Sequence, residues 1–147
     1  MKLSTRTRYG IRAIFELALF YEKGPLQTKV IAKRQAMSVK YLGQLMTTLK
    51  SIGFLRSLRG PGGGYTLAKP PDQIKLSEVF NAFEGQVVTV ECLEDANLCQ
   101  LSADCVTREV WAKVQHAIEG VLGTVTLQDL VEMAQNKQTE KSGNYQI

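Results

Sequence analysis

The chain has 147 residues, 44% of them hydrophobic and 22% charged, the balance of an ordinary soluble globular protein long enough to bury a core without staples. No stretch approaches the ~20 consecutive apolar residues of a membrane span. MKLSTRTRYG at the N-terminus has no apolar run or small-residue cleavage site behind it, so a cytoplasmic chain without a secretory signal is expected. The net charge of +4 conceals a division: residues 1–75 carry 14 Lys and Arg against 3 Asp and Glu (+11), and residues 76–147 carry 4 against 11 (−7). A single-sign field over half a chain favours a polyanion, with nucleic acid first and an anionic membrane surface second. All three cysteines lie in the acidic half. An odd count in a cytosolic chain argues against a disulfide framework and for metal or redox chemistry.

Ser4 is a predicted cap for a helix from Thr5 to Tyr21, whose Tyr9, Ala13, Leu17 and Tyr21, flanked by Ile14 and Ala18, form one apolar face. Arg6, Arg8 and Arg12 sit mostly off that face. Gly24-Pro25 breaks the helix. A short helix follows from Thr28 to Gln35, with Val30, Ile31 and Ala32 expected inward. Ala36-Met37-Ser38 makes a tight turn and Ser38 is a good N-cap. The next helix repeats Tyr41, Leu42, Leu45, Met46 and Leu49 at helical spacing and stops near Gly53. Two helices joined by a three-residue turn, inside the basic half, read as a helix-turn-helix.

Phe54 to Arg59 and Tyr65 to Ala68 read as paired strands around Gly60-Pro61-Gly62-Gly63-Gly64, with Arg56, Arg59 and Lys69 flanking the hairpin. A basic hairpin after a helix-turn-helix is the layout of a winged helix. Pro70-Pro71 closes that unit. Ser77 to Glu84 is a short helix ended by Gly85. Residues 86–104 read as a loop. Beyond Cys105, Val106, Val110, Val114, Ala117 and Val121 form a near-heptad stripe on a long helix. One narrow apolar seam of that kind asks for a partner helix, and a two-fold homodimer is the economical solution. Thr126 and Asp129 form a capping-box-like start to a last short helix through Leu130, Val131 and Met133, after which the chain is polar from Gln135.

The recognition surface is expected on Ser38, Val39, Lys40, Tyr41 and Gln44, extending toward Thr47 and Thr48, because N-terminal residues of such a helix meet base edges and Lys and Gln carry suitable donors. Gly43 inside this helix costs ~1 kcal/mol relative to Ala and leaves a gap in the surface. RGPGGGY, from Arg59 to Tyr65, lacks the Gly-Lys-Ser/Thr that opens a helix in a phosphate-binding loop. It suits instead a wing in which Gly62 and Gly63 allow close approach while Arg59 reaches into the minor groove.

Cys92, Cys99 and Cys105 follow C-x6-C-x5-C, too wide for paired C-x2-C zinc knuckles. Three thiolates in one polar loop suit an iron–sulfur cluster with one non-Cys or missing protein ligand, or zinc with a fourth donor. Glu91, Glu94, Asp95 and Asp104 would raise the thiol pKa values, so a cation is needed to hold three thiolates together. His116, the only histidine, reads as a helix surface residue.

MKLSTRTRYGIRA, VKYLGQLMTTLKSIGFLRSLRGPGGGYTLAKP and the cysteine loop together resemble the IscR/NsrR family of bacterial winged-helix repressors, over Met1 to about Val131. The resemblance implies a dimer with the long helix at its interface, and a cluster on Cys92, Cys99 and Cys105 that reports iron–sulfur status, iron or nitric oxide. The IscR branch takes a fourth ligand from a His where this chain has Arg108. The NsrR branch uses an Asp near the start of the partner's first helix, where this chain has Arg6, Arg8 and Arg12. The IscR branch also places a Glu where this chain has Gly43.

The expected protein is mainly α with a small β-hairpin wing: a winged helix-turn-helix over residues 1–71, a cluster loop and dimerisation helices over 72–134, and a polar tail over 135–147. The expected function is DNA-binding repression controlled by a cluster, [2Fe–2S] first and [4Fe–4S] second. The fourth donor is sought among Glu94, Asp95, Asp104, Glu109, His116 and Glu16 of a partner's first helix. A zinc or thiol-redox regulator is the runner-up. An electron-transfer or scaffold protein would leave the basic half unexplained, and no nucleophile–base or acid–base pair suggests an enzyme.

Overall fold

The computed structural model describes residues 2–143 as six helices and one antiparallel hairpin. In chain order these are α1 (Thr5–Leu19), α2 (Thr28–Gln35), α3 (Val39–Ser51), β1 (Leu55–Leu58), β2 (Gly64–Leu67), α4 (Leu76–Glu84), α5 (Val106–Thr124) and α6 (Leu127–Gly143). Ser4 caps α1 by accepting from the Thr7 amide, and Ser38 caps α3 by accepting from the Tyr41 amide at 3.1 Å. Ala36 ends α2 in the left-handed region, at φ 53°. The turn between α2 and α3 is therefore fixed by backbone geometry on one side and by a cap on the other.

The hairpin pairs Leu55 with Leu67 and Leu58 with Gly64. Leu26 adds a bridge to Tyr65, exchanging hydrogen bonds of 3.0 and 2.8 Å. Two wing glycines are demanded by these close approaches. A Cβ on Gly64 would lie 2.3 Å from the Leu26 carbonyl oxygen, and one on Gly63 would lie 2.2 Å from that of Leu58. Gly63 is buried, whereas Gly62 faces solvent with open space around it.

One face of α1 (Ala13, Ile14, Leu17, Ala18) meets Ile31 and Ala32 of α2, Leu42, Met46 and Leu49 of α3, and Leu55 and Leu67 of the hairpin in a single core. Ile74, Val79, Leu127 and Val131 belong to the same core. The elements after residue 71 that touch it, α4 and α6, are thus packed onto the winged helix and have no separate core of their own. A reciprocal capping box opens α6: the Thr126 amide donates to Asp129 Oδ2 at 2.8 Å, and the Asp129 amide to Thr126 Oγ1 at 3.1 Å.

Three expectations change. Val30 is 40% exposed and does not join Ile31 and Ala32 inside, because three consecutive helical positions span too wide an arc for one buried stripe. The first helix ends at Leu19, before Tyr21. The last helix, expected to be short and to end near Met133, runs on through the polar stretch to Gly143; the rest of the expected tail, 144–147, lies outside the described residues. No helix among the described residues is long and apolar enough to cross a membrane.

Ile14 has no exposed surface at the centre of this core. Truncating it to Ala should cost about 2–5 kcal/mol, transfer and cavity terms together. Urea unfolding followed by circular dichroism measures this, and a loss below about 1 kcal/mol would contradict the packing described.

Candidate nucleic-acid interface and cysteine loop

Ser38, Val39, Lys40 and Gln44 are exposed at the start of α3, Tyr41 is half-buried, and Gly43 has open space where a side chain would stand. Thr47 and Thr48 turn their hydroxyls back to the carbonyls of Gly43 and Gln44, at 2.9 and 3.3 Å. On the hairpin, Arg56, Arg59 and Gly62 are exposed. Among the described residues one ion pair forms, Arg34 with Glu16 at 2.6 Å. The positive charge of this half is therefore almost wholly unneutralised, as electrostatic attraction to a polyanion requires.

Polar contacts from α1 set the two helices. Arg12 donates to Gln35 Oε1 at 2.7 Å and to the Gln35 carbonyl at 2.8 Å, tying α1 to the end of α2. Glu16, 3% exposed, accepts from Arg34 at 2.6 Å and Gln35 at 2.5 Å. A carboxylate so buried and so engaged is not free to ligate a metal, so Glu16 is removed from the candidate fourth donors. The Tyr9 and Tyr41 rings meet edge to face at 6.0 Å, joining α1 to the first turn of α3. Arg6 donates to Thr48 Oγ1 at 3.5 Å and lies over the Phe83 ring, 5.7 Å from its centroid.

The N-terminus of α1 has no acidic residue in its first turn. The carboxylate that complements it comes from the last residue of α4. Glu84 Oε2 accepts from Ser4 Oγ at 2.6 Å and from Thr7 Oγ1, and Oε1 accepts from the Ser4 amide at 3.4 Å. The Ser4 and Thr7 hydroxyls hold the Glu84 carboxyl below its ordinary pKa range. Next to it, Phe83 covers Gly10, where a Cβ would come within 2.2 Å of the ring.

The cysteine loop has two 3-10 turns, Glu91–Leu93 and Ala96–Leu98. Cys92 and Cys105 are half-buried, Cys99 is exposed, and all three are free thiols. Arg108 donates from Nε to the Cys92 carbonyl at 3.1 Å, and the buried Ser102 hydroxyl contacts the carbonyls of Ala96 and Cys99. Asp95 is used to cap the second turn through the Asn97 amide at 2.9 Å. Glu94, Asp104, Glu109 and His116 are exposed. Among the described residues no three His, Cys, Asp or Glu side chains stand together as a metal site, so the loop is an open arrangement of the candidate donors. Cys105 is the N-cap residue of α5; hydrogen bonds from the Thr107 side chain first, 3.2 Å away, and then the Arg108 amide draw its thiol pKa down.

The α5 helix has no buried residue. Val106, Val110, Val114 and Val121 are 73, 52, 37 and 62% exposed, and Ala117 between them is exposed as well. Those residues form one continuous apolar face.

A family model described as Rrf2, iron-dependent transcriptional regulator, matches residues 3–133. The chain belongs to the Rrf2 family. This Rrf2 protein is 40% identical over 134 residues to protein rrf2 of Nitratidesulfovibrio vulgaris, covering 91% of this chain and 89% of that one. The structure of CymR, the global cysteine regulator of B. subtilis, superposes with a TM-score of 0.79 at 36% identity, covering 90% of this chain and 98% of CymR. The structure of T. potens IscR superposes with a TM-score of 0.77 at 37% identity, covering 94% and 91%. The resemblance to IscR-type regulators therefore stands, and with it a DNA-binding transcriptional regulator and no enzyme.

Sequence reading missed Glu84, Phe83, Ser102 and Thr107 as members of this Rrf2 protein's polar framework. Glu84 and Phe83 find their partners on α1, while Ser102 and Thr107 find theirs two to six residues away in an irregular segment, where no periodicity reports them. The absence of an acid in the first turn of α1 was the one available hint that a carboxylate must come from elsewhere. For Cys105 the geometry gives a direct expectation: Thr107→Val removes the hydroxyl that stabilises the thiolate and should slow iodoacetamide alkylation of Cys105 a few-fold near neutral pH. Peptide mass analysis of the metal-free protein measures it, and an unchanged rate would remove Thr107 from the account.

Proposed function

We propose that this protein is a cytoplasmic, homodimeric repressor that binds duplex DNA through α3 and the hairpin, and that an iron–sulfur cluster on Cys92, Cys99 and Cys105 sets its operator affinity. The observation that carries the DNA reading is the basic half with a single ion pair among the described residues, on a fold shared with regulators. Ser38, Lys40, Tyr41 and Gln44 are the base-facing set. Arg6, Arg59 and Gly62 are backbone or minor-groove contacts, while Gly63, being buried, shapes the hairpin from within. The exposed stripe of α5 supports the dimer, since a seam of valines gains stability only when a second seam covers it.

The donors fit the group in type and access. Three thiols lie outside the core on one loop, and the family model is described as iron-dependent. A bound cluster supplies a redox-active centre sensitive to iron supply, oxygen and nitric oxide. A [2Fe–2S] cluster is the first choice and [4Fe–4S] the second, with a fourth donor from Glu94, Asp104, Glu109 or His116. Asp95 enters that set only by giving up its cap. Reporting iron–sulfur status is the leading role, with iron or nitric oxide as the alternative signals. A thiol-redox reading, or zinc at the same thiols, is favoured by the likeness to a cysteine regulator and by the lowered Cys105 pKa.

Anaerobic purification with iron and sulfide counts and a visible spectrum separates these readings. The cluster reading expects brown protein with stoichiometric iron and sulfide, and each of Cys92→Ala, Cys99→Ala and Cys105→Ala should lose it while keeping native circular dichroism. Full occupancy in any one variant would show that Cys to be no ligand, and colourless protein with zinc would establish the second reading. For DNA, Arg59→Ala should weaken binding strongly and lower the salt slope by about one. Gln44→Ala should change sequence preference more than total affinity. Unchanged affinity of Arg59→Ala for every sequence would remove the wing from the interface.

A further inference from the structure

We infer that Glu84 is a positioning residue for DNA binding: by anchoring the N-terminus of α1 from α4 it holds Arg6 beside the recognition helix. The inference rests on the DNA-binding reading above and adds a role for an acidic residue that does not itself belong on a DNA surface.

The geometry is a relay of three contacts. Glu84 takes hydrogen bonds from both hydroxyls of the first α1 turn, Ser4 and the fully buried Thr7, and from the Ser4 amide. That turn carries Thr5, Arg6 and Thr7 and no acid, so its amide dipoles depend on this carboxylate for opposite charge. Phe83 then fixes the distance between the helices by resting on Gly10, where even one methyl group would collide with the ring. The same ring lies under the Arg6 guanidinium, whose other contact is the Thr48 hydroxyl on α3 at the long distance of 3.5 Å. Arg6 is thus aimed along α3, with no carboxylate paired to it among the described residues and its charge available to a phosphate. Without Glu84 the first turn frays, since Ser4 alone caps it, and Arg6 loses its direction.

Charge alone makes the opposite prediction. A carboxylate close to a DNA-binding arginine repels the polyanion, so removing it should tighten binding. A positioning role makes removal weaken binding. The two accounts therefore differ in sign.

The test uses the full-length protein and duplexes of several sequences over a range of salt. Glu84→Ala should bind about tenfold more weakly on every sequence, with the salt slope reduced by about one. Glu84→Gln keeps one acceptor oxygen and the side-chain shape but not the charge, and should show a smaller loss of the same kind. Arg6→Ala should give the same slope reduction as Glu84→Ala, and the double variant should add nothing to it, because both changes remove one contact. In the free protein, amide exchange of Thr7 and Arg8 should accelerate in Glu84→Ala while the α3 amides stay protected. Should Glu84→Ala fail to fold, Glu84→Gln carries the same comparison. Tighter or unchanged binding by both Glu84 variants, or independent losses that add in the double variant, overturns the positioning role. If the wild-type protein shows no salt-dependent binding to duplex DNA, the DNA reading fails instead, and the exchange experiment still reports whether Glu84 anchors α1.

Discussion

The burial of α1 is the constraint on which the other elements depend. Its face of Ala13, Ile14, Leu17 and Ala18 is completely or almost completely withdrawn from water, and α2, α3, the hairpin, α4 and α6 each contribute to the core built on it. Small residues at Ala13 and Ala18 let neighbouring helices approach closely, and Gly10 lets α4 approach more closely still. Burying such a face stabilises by roughly 25 cal/mol per Å² of apolar surface. The α3 and α4 helices are both packed on this same rod, so a shift of α1 would be felt by both.

Electrostatics works on top of that frame and in the opposite sense. Fourteen cations in 75 residues repel one another and oppose compactness. The fold neutralises few of them. Its acids are spent on orientation: Glu16 fixes the end of α2 through Arg34 and Gln35, and Glu84 complements the N-terminus of α1. Phosphates of a bound polyanion would supply the counter-charges the fold lacks, an attraction that strengthens as salt falls even though the self-repulsion of the free chain then grows.

Much of this was legible in the residues. The Thr28–Gln35 helix, the Ser4 and Ser38 caps, the Thr126–Asp129 box and the glycine-rich hairpin are all local signals, settled by side chains within four positions of the backbone they control. The failures are non-local. That Glu16 is a buried, paired carboxylate follows from Arg34 and Gln35 arriving on another helix. That Gly63 is internal to the wing follows from the path of the Leu58 carbonyl. The extension of α6 to Gly143 has a different reason: its second half has good helix formers in Ala134, Gln135, Lys137, Gln138, Glu140 and Lys141 but no apolar face, so a search for periodic apolar residues ends at Met133 while the helix does not. The three thiols were legible as a set, whereas their mutual placement was not, because loop geometry is fixed by hydrogen bonds such as those of Ser102 and Arg108 that leave no pattern in the sequence.

The arrangement of α5 makes the cysteine loop more than an appendage. Cys105 is the cap residue of this helix, and Thr89, at the other end of the loop, binds it again through Gln115 and the Trp111 carbonyl, at 3.2 Å in each case. Both ends of the loop are therefore fastened to the same helix. The exposed valine stripe begins one residue after Cys105. In a dimer packed on that stripe, a small rotation at its origin is carried along nineteen residues of rigid helix and alters the relation between the two copies. In such a dimer, a ligand on the loop would shift DNA affinity only if it bound one such relation better than the other, and a duplex contacted by both copies would have the same requirement. The two preferences meet at α5, because that helix is where the loop is fastened and where the apolar face waits to be covered.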